Sequence, residues 1–189
     1  EQTGILTNSP LMQNIVALLP EYARSDSNIL IVGESGTGKE LIARAIHKQS
    51  NRSMMPFVSV NSGALPDNLL EVELFGYRAG AYNEEKKDKK GDFAAAEKGT
   101  LFLDEIGDIT PTMQNKLLEV LQNKTFAPLG SDLPVSTDAR IIAATNKNLE
   151  ELIEDNEFQE DFYRQLNIIR IEVPPLRERM EDLSLLSEH

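Results

Sequence analysis

Seven residues constrain this chain more than any others: Gly33-Glu34-Ser35-Gly36-Thr37-Gly38-Lys39, set directly after the aliphatic run Ile29-Leu30-Ile31-Val32. A short continuous apolar run reads as a strand buried on both faces of a parallel sheet. Beyond the loop, Leu41, Ile42, Ala45 and Ile46 form the apolar stripe of an amphipathic helix. Strand, glycine-rich loop and helix in that order make a phosphate-binding turn. Gly33, Gly36 and Gly38 permit backbone angles that aim N–H groups inward, and the helix N-terminus adds partial positive charge. Lys39 supplies a full charge for the outer phosphates of a nucleotide. One position departs from the general pattern: Glu40 follows the lysine, where a serine or threonine usually offers magnesium a hydroxyl.

The rest of the chain repeats the alternation of strand and helix. Ser9-Pro10 predicts a helix start, with a capping hydroxyl and a proline in the first turn, and the helix runs to about Arg24. Further strands are expected at 56–60, 100–103, 141–145 and 168–173, with helices at 66–74, from Thr110-Pro111, and at about 149–155 and 159–166. Residues 126–135 are β-prone and punctuated by glycine and proline. Residues 75–92 carry a charge run, Glu84 to Lys90, between Gly76, Gly80 and Gly91, which predicts an exposed, mobile loop. Its lysines read as a solvated face rather than a DNA contact, because carboxylates flank them and aromatics do not interleave. The result is an α/β fold, a mostly parallel sheet flanked by helices. Residues 1–173 form its core, and Pro174-Pro175 opens a second, small helical unit over 174–189.

Polar residues collect at the strand tips, where parallel sheets place their ligands: Asn61, Asp104, Glu105 and Asn146. Asp104 ends an apolar strand opposite the phosphate loop and is the expected magnesium carboxylate. Glu105 is the expected general base for an attacking water. Asn146 is placed to orient that water or to sense the terminal phosphate. Asn61 is placed to hydrogen-bond Glu105 and restrain it. For these two asparagines a plain turn-capping role is the alternative. His47 and His189 lack partners at metal-ligand spacing and receive no role.

Composition excludes several other classes. The formal net charge of -12 over 189 residues opposes a nucleic-acid surface spread over the chain. The absence of cysteine removes disulfides and thiolate metal sites and fits a reducing cytosol, so a cytoplasmic location is expected. No apolar run is long enough to span a bilayer, so no membrane partner is expected.

With these residues in view, the chain resembles the AAA+ domain of bacterial enhancer-binding proteins, the NtrC-like activators of sigma-54, over nearly its whole length. Gly33 to Glu40, Glu73-Leu74-Phe75-Gly76, Gly99 to Ile106, Ala144-Thr145-Asn146 and Pro174 to Arg179 match signatures of that family, and Glu40 is the family's own variant. The resemblance implies ATP or ADP with Mg2+, held by residues 33–40 (Gly33, Glu34, Ser35, Gly36, Thr37, Gly38, Lys39 and Glu40) and Asp104. It implies a homo-oligomeric ring, usually a hexamer, with nucleotide between neighbours. It also implies a helical lid after Pro175 and DNA contact only through a domain outside this sequence.

Two stretches depart from that family. Its exposed sigma-contact loop reads Gly-Ala-Phe-Thr-Gly-Ala, whereas residues 80–85 read Gly-Ala-Tyr-Asn-Glu-Glu, which weakens the expectation of sigma-54 contact. The two arginines that the family sends into a neighbour's ATP site correspond to Gln159 and Gln165, and Arg164 points about 100° away from the second of them. An arginine in that role accelerates turnover on the order of a thousandfold or more, and neutral glutamine cannot replace its charge. The departures favour a nucleotide-dependent oligomeric switch with slow hydrolysis over a fully active sigma-54-remodelling ATPase. A scaffold without nucleotide is opposed by the intact Lys39, Asp104 and Glu105.

Overall fold

The computed structural model describes residues 4, 5 and 7–182. In its first half the chain runs α1 (Pro10–Arg24), β1 (Ile29–Val32), α2 (Lys39–Gln49), β2 (Phe57–Asn61), α3 (Asp67–Phe75), β3 (Gly76–Tyr77), β4 (Lys89–Lys90) and α4 (Asp92–Ala95). The second half adds β5 (Thr100–Asp104), α5 (Pro111–Asn123), β6 (Thr125–Phe126), β7 (Val135–Ser136), β8 (Arg140–Thr145), α6 (Leu149–Glu154), α7 (Glu160–Leu166) and β9 (Ile169–Glu172). Five strands make one parallel sheet in the order β2-β5-β8-β1-β9.

Alternation along each strand sorts the apolar side chains into two layers, because successive residues point to opposite faces. Ile29, Ile31, Phe102, Ile142, Ala144 and Ile171 pack with Met12 and Leu19 of α1 and Ile42 and Ile46 of α2. Leu30, Leu101, Leu103, Ile141 and Ala143 pack on the other side with Leu74 of α3, Leu117 of α5 and Phe162 of α7. The inner strands β1, β5 and β8 are therefore covered on both faces, which is why they read as apolar runs, whereas the edge strands β2 and β9 are only partly buried. Arg140 is buried at the start of β8, where its Nη2 donates to Tyr22 O at 2.6 Å and closes the end of α1. Burial lowers its pKa to about 10.

Local structure departs from the sequence-based expectations in three places. Residues 75–92 are not one open loop: β3 and β4 pair antiparallel, Phe75 is buried, and α4 follows with Phe93 buried against Phe75 at 5.7 Å between ring centres. Two-residue strands carry no periodicity, so only tertiary packing reveals them. Within 78–88 the backbone is tied down as well, with Gly80 N donating to Glu85 O at 2.7 Å and Ala79 N to Asp88 Oδ1 at 2.8 Å. The lysine run is partly neutralised, since Lys89 pairs with Glu73. The third departure is at α1: Ser9 occupies the cap position, but its hydroxyl makes no capping bond. The last part of the expected 174–189 unit, with His189, lies outside the described residues. Those that are described, from Pro174 to Asp182, form two short 3-10 turns over Leu176–Glu178 and Met180–Asp182.

Candidate functional site

The sheet order brings the predicted tips to one end of the sheet. Asn61 stands level with Asp104 across β2 and β5, and Val32 with Thr145 across β1 and β8. The loop after β1 therefore opens between the ends of β8 and β9, with the end of β5 one strand further on. Gly36 and Gly38 take left-handed backbone angles, φ 76° and 92°, which allow the loop to turn into α2 without steric cost. The loop is closed on itself: Thr37 Oγ1 donates to Glu34 O at 2.7 Å, and Gly33 N to Thr145 O at 3.1 Å.

Lys39 is the first residue of α2 and is buried. Its Nζ donates to Gly33 O at 2.7 Å and Glu34 O at 2.8 Å. An ammonium has three N–H donors, so one is left for an incoming anion. Burial lowers the Lys39 pKa, while the charges of Asp104 and Glu105 raise it. Asp104 Oδ1 accepts the Glu105 N–H at 2.9 Å. Glu105 itself sits at φ 55°, ψ 41°, an uncommon left-handed conformation for a residue with a side chain, and costs on the order of 1–2 kcal/mol there. Strain of that kind persists where the surroundings over-determine it, and it falls on the expected general base.

Gly63 is part of that seat and sequence reasoning missed it. A Cβ at Gly63 would stand 2.7 Å from Glu105 Oε2 and 2.9 Å from Asp108 Cβ, so any larger residue would displace the carboxylate. The signal was a single glycine two places past the tip residue Asn61. Asn146 joins the loop directly, its Nδ2 donating to Ser35 Oγ at 3.1 Å. Asn61 uses its amide oxygen to accept the Gly63 N–H at 3.2 Å, so it supports the turn that seats Glu105. Glu40 lies on the outer side of α2, paired with Arg44 at 2.7 Å. Glu34 is bridged to Arg177 at 2.7 Å, an exposed pair across the cleft mouth. His47 is structural: its two ring nitrogens meet Thr100 Oγ1 at 2.9 Å and Met55 O at 3.0 Å, and burial lowers its pKa.

Two cavities adjoin the loop. A polar cleft of about 570 Å³ is lined by Glu34, Asn146, Lys147, Arg170, Glu172 and Arg177. A smaller, more apolar pocket of about 170 Å³ is lined by Ile5, Met12, Thr37, Leu41, Ile42 and Arg179. Leu41 is half exposed there, an apolar side chain available to a flat ring. The donor set suits a nucleotide better than a bare cation. Among the described residues no group of three or more His, Cys, Asp or Glu side chains could hold a metal ion. Magnesium, which takes one or two protein carboxylates and completes its shell with phosphate oxygens and water, fits Asp104 facing a phosphate loop. Among the described residues no helix is long and apolar enough to cross a membrane.

The positions that depart from the family have local hydrogen bonds or packing. The Gln159 N–H donates to Gln114 Oε1 at 2.8 Å, and Gln165 O accepts from Asn28 Nδ2 at 2.8 Å, so the backbone, not the glutamine side chain, makes each of these contacts. Arg164 points to solvent and pairs with Glu160 at 2.5 Å. In the 80–85 loop Tyr82 stacks on Tyr77 at 5.4 Å, and Glu84 and Glu85 are exposed.

Comparison with known proteins agrees with this geometry. The profile of the sigma-54 interaction domain matches residues 5–172. The chain is 51% identical over 185 residues to a Nif-specific regulatory protein of Azospirillum lipoferum, covering 98% of this chain and 30% of that protein. It is 46% identical over 187 residues to the DNA-binding transcriptional regulator NtrC of Escherichia coli K12, covering 99% and 40% respectively. The chain thus spans less than half the length of these relatives. Among solved structures, NtrX of Brucella abortus in complex with ADP superposes with a TM-score of 0.89 at 38% identity, over all of this chain and 41% of that one. NtrX has also been solved in complex with ATP, with a TM-score of 0.88 over 98% of this chain and 42% of that one.

Proposed function

This chain belongs to the sigma-54 interaction domain family, and from that premise we propose that it binds ATP with magnesium as a nucleotide-dependent oligomeric switch that hydrolyses slowly. The observation that carries the reading is Lys39, bonded to the carbonyls of a glycine loop after β1, with Asp104 and Glu105 at the end of β5, in a chain that has glutamine at 159 and 165. The apolar pocket beside Thr37 takes the base, and the loop with Lys39 takes the phosphates. Bound magnesium would be held by Asp104 and would neutralise phosphate charge.

Glu105 accepts a proton from water as its oxygen bonds to the terminal phosphorus; the bond from that phosphorus to the bridging oxygen breaks, leaving ADP and phosphate. Lys39 balances the charge that builds on the phosphate oxygens. Asn146, tethered to Ser35, fixes the loop beside that reaction. What the chain lacks is a guanidinium from a neighbour. The assembly is a homo-oligomeric ring, of six copies by analogy with the family, in the bacterial cytoplasm. Residues 1–173 act as its core and 174–189 as the start of its lid. Sigma-54 contact through 80–85 is disfavoured by the two carboxylates there, and DNA contact belongs to other parts of a longer protein.

Titration with ATP by calorimetry tests the binding claim. Lys39→Ala removes a charge-assisted donor to phosphate and two bonds to the loop, and is expected to weaken affinity about a hundredfold. Unchanged affinity would leave the phosphate-loop assignment without support.

A further inference from the structure

We propose that Arg179 and Asp182 form a buried relay joining the start of α1 to the phosphate loop, so that nucleotide in the base pocket and order at residues 7–9 are linked. The proposal rests on the ATP-binding reading and concerns how that site communicates with the amino-terminal segment.

The start of α1 has an unusual cap. Ser9 holds the cap position, yet its Oγ is buried without a partner. The donors before the helix are met instead by Asp182, more than 170 residues away in sequence. Its Oδ1 accepts Asn8 N at 2.6 Å and Ser9 N at 3.1 Å, and Thr7 Oγ1 lies 2.9 and 2.8 Å from its two oxygens. Asp182 is fully buried. A buried carboxylate is tolerated only with donors and a countercharge, and the countercharge is Arg179 Nη1, 4.0 Å from Oδ2.

Arg179 is 6% exposed and reaches the other way as well. Its Nη2 donates to Thr37 O at 2.8 Å, inside the phosphate loop, where Thr37 hooks back to Glu34 O. Its Nε is buried with no partner, and the residue lines the base pocket. An unmet buried donor is unfavourable until something accepts it. A ring or ribose seated in that pocket lies against the Arg179 side chain and holds the guanidinium in place. Removing either partner of a buried ion pair leaves the other uncompensated, so Thr37 and residues 7–9 share one hinge of charge. Coupling of this kind is reciprocal: whatever nucleotide does to the segment, the segment does to nucleotide affinity.

The experiment is amide hydrogen exchange on this chain, with and without a non-hydrolysable ATP analogue, alongside calorimetry. In the unchanged chain, nucleotide is expected to slow exchange at Asn8 and Ser9 by about tenfold. In Arg179→Gln, measured at analogue concentrations that saturate that variant, the nucleotide effect disappears. Thr7→Val, which leaves both buried charges in place and touches no ligand, is expected to weaken nucleotide binding about fivefold. Nucleotide that binds the unchanged chain without slowing Asn8 and Ser9 overturns the relay, and so does an Arg179→Gln variant with the full effect. Should Arg179→Gln not fold, unchanged affinity in Thr7→Val overturns it alone. No binding to the unchanged chain overturns the ATP reading itself, a separate and recognisable failure.

Discussion

Inside the cleft, at the ends of β1, β5 and β8, Lys39 is bonded to the loop, Asp104 to the Glu105 N–H and Asn146 to Ser35. On the outer surfaces, Gln159, Gln165 and the Glu84-Glu85 pair stand where the family resemblance places cross-subunit arginines and a sigma-contact loop. Only the cleft keeps the charges that the resemblance implies. Holding a nucleotide needs groups from one chain, whereas fast turnover and remodelling need groups aimed at another. One layer can be lost while the other stays, because the altered side chains are not what fixes the backbone beneath them.

The largest expected effect comes from restoring what the outer surface lacks. Gln159→Arg combined with Gln165→Arg is expected to raise ATP turnover about a thousandfold, measured by phosphate release at saturating protein. Both parent residues anchor the fold through backbone atoms, so the exchange leaves those contacts in place. No gain would mean that the two surfaces are not separated as argued.

Next is the cleft itself. Glu105→Gln keeps the shape and removes the base, so residual hydrolysis falls about a hundredfold while ATP affinity in calorimetry holds. Loss of affinity to the same degree would make Glu105 a binding group and blur the contrast.

A smaller effect separates the regions by pH. Asp92, beneath the outer hairpin, has its pKa raised to about 6 by burial first and by Glu73 second, against Lys89. A carboxyl raised in the folded state destabilises above that value and is neutral in effect below its ordinary value of 3.8. Asp92→Asn therefore raises Tm by about 2–4 °C at about pH 8 and leaves it unchanged at about pH 3.5. Calorimetric melts at the two pH values check it.

Smallest is the bridge at the cleft mouth. Arg177→Ala breaks an exposed pair with Glu34, so nucleotide affinity changes by less than about threefold and the difference vanishes in high salt.

Much of this architecture was legible from residue order. The apolar runs of β1, β5 and β8 marked the parallel sheet, since these inner strands are buried on both faces, and the loop between Val32 and Lys39 located the cleft. What stayed hidden is non-local. The hairpin of β3 and β4 has strands too short for any period, and its register follows from Phe75 packing on Phe93. Gly63 matters only because Glu105 folds over it. Asp182 capping α1 in place of the Ser9 hydroxyl joins opposite ends of the chain, which no local pattern encodes. Arg177 and Arg179 were visible as a family signature, but their partners Glu34 and Thr37 were not.

The central claim is a nucleotide held well and turned over slowly for want of a neighbour's positive charge. Steady-state ATP hydrolysis measured against protein concentration tests it most directly. The account predicts a rate well below about one per second that stays flat as copies associate. A rate climbing to about one per second or more with concentration, and falling on Arg164→Ala, would contradict it.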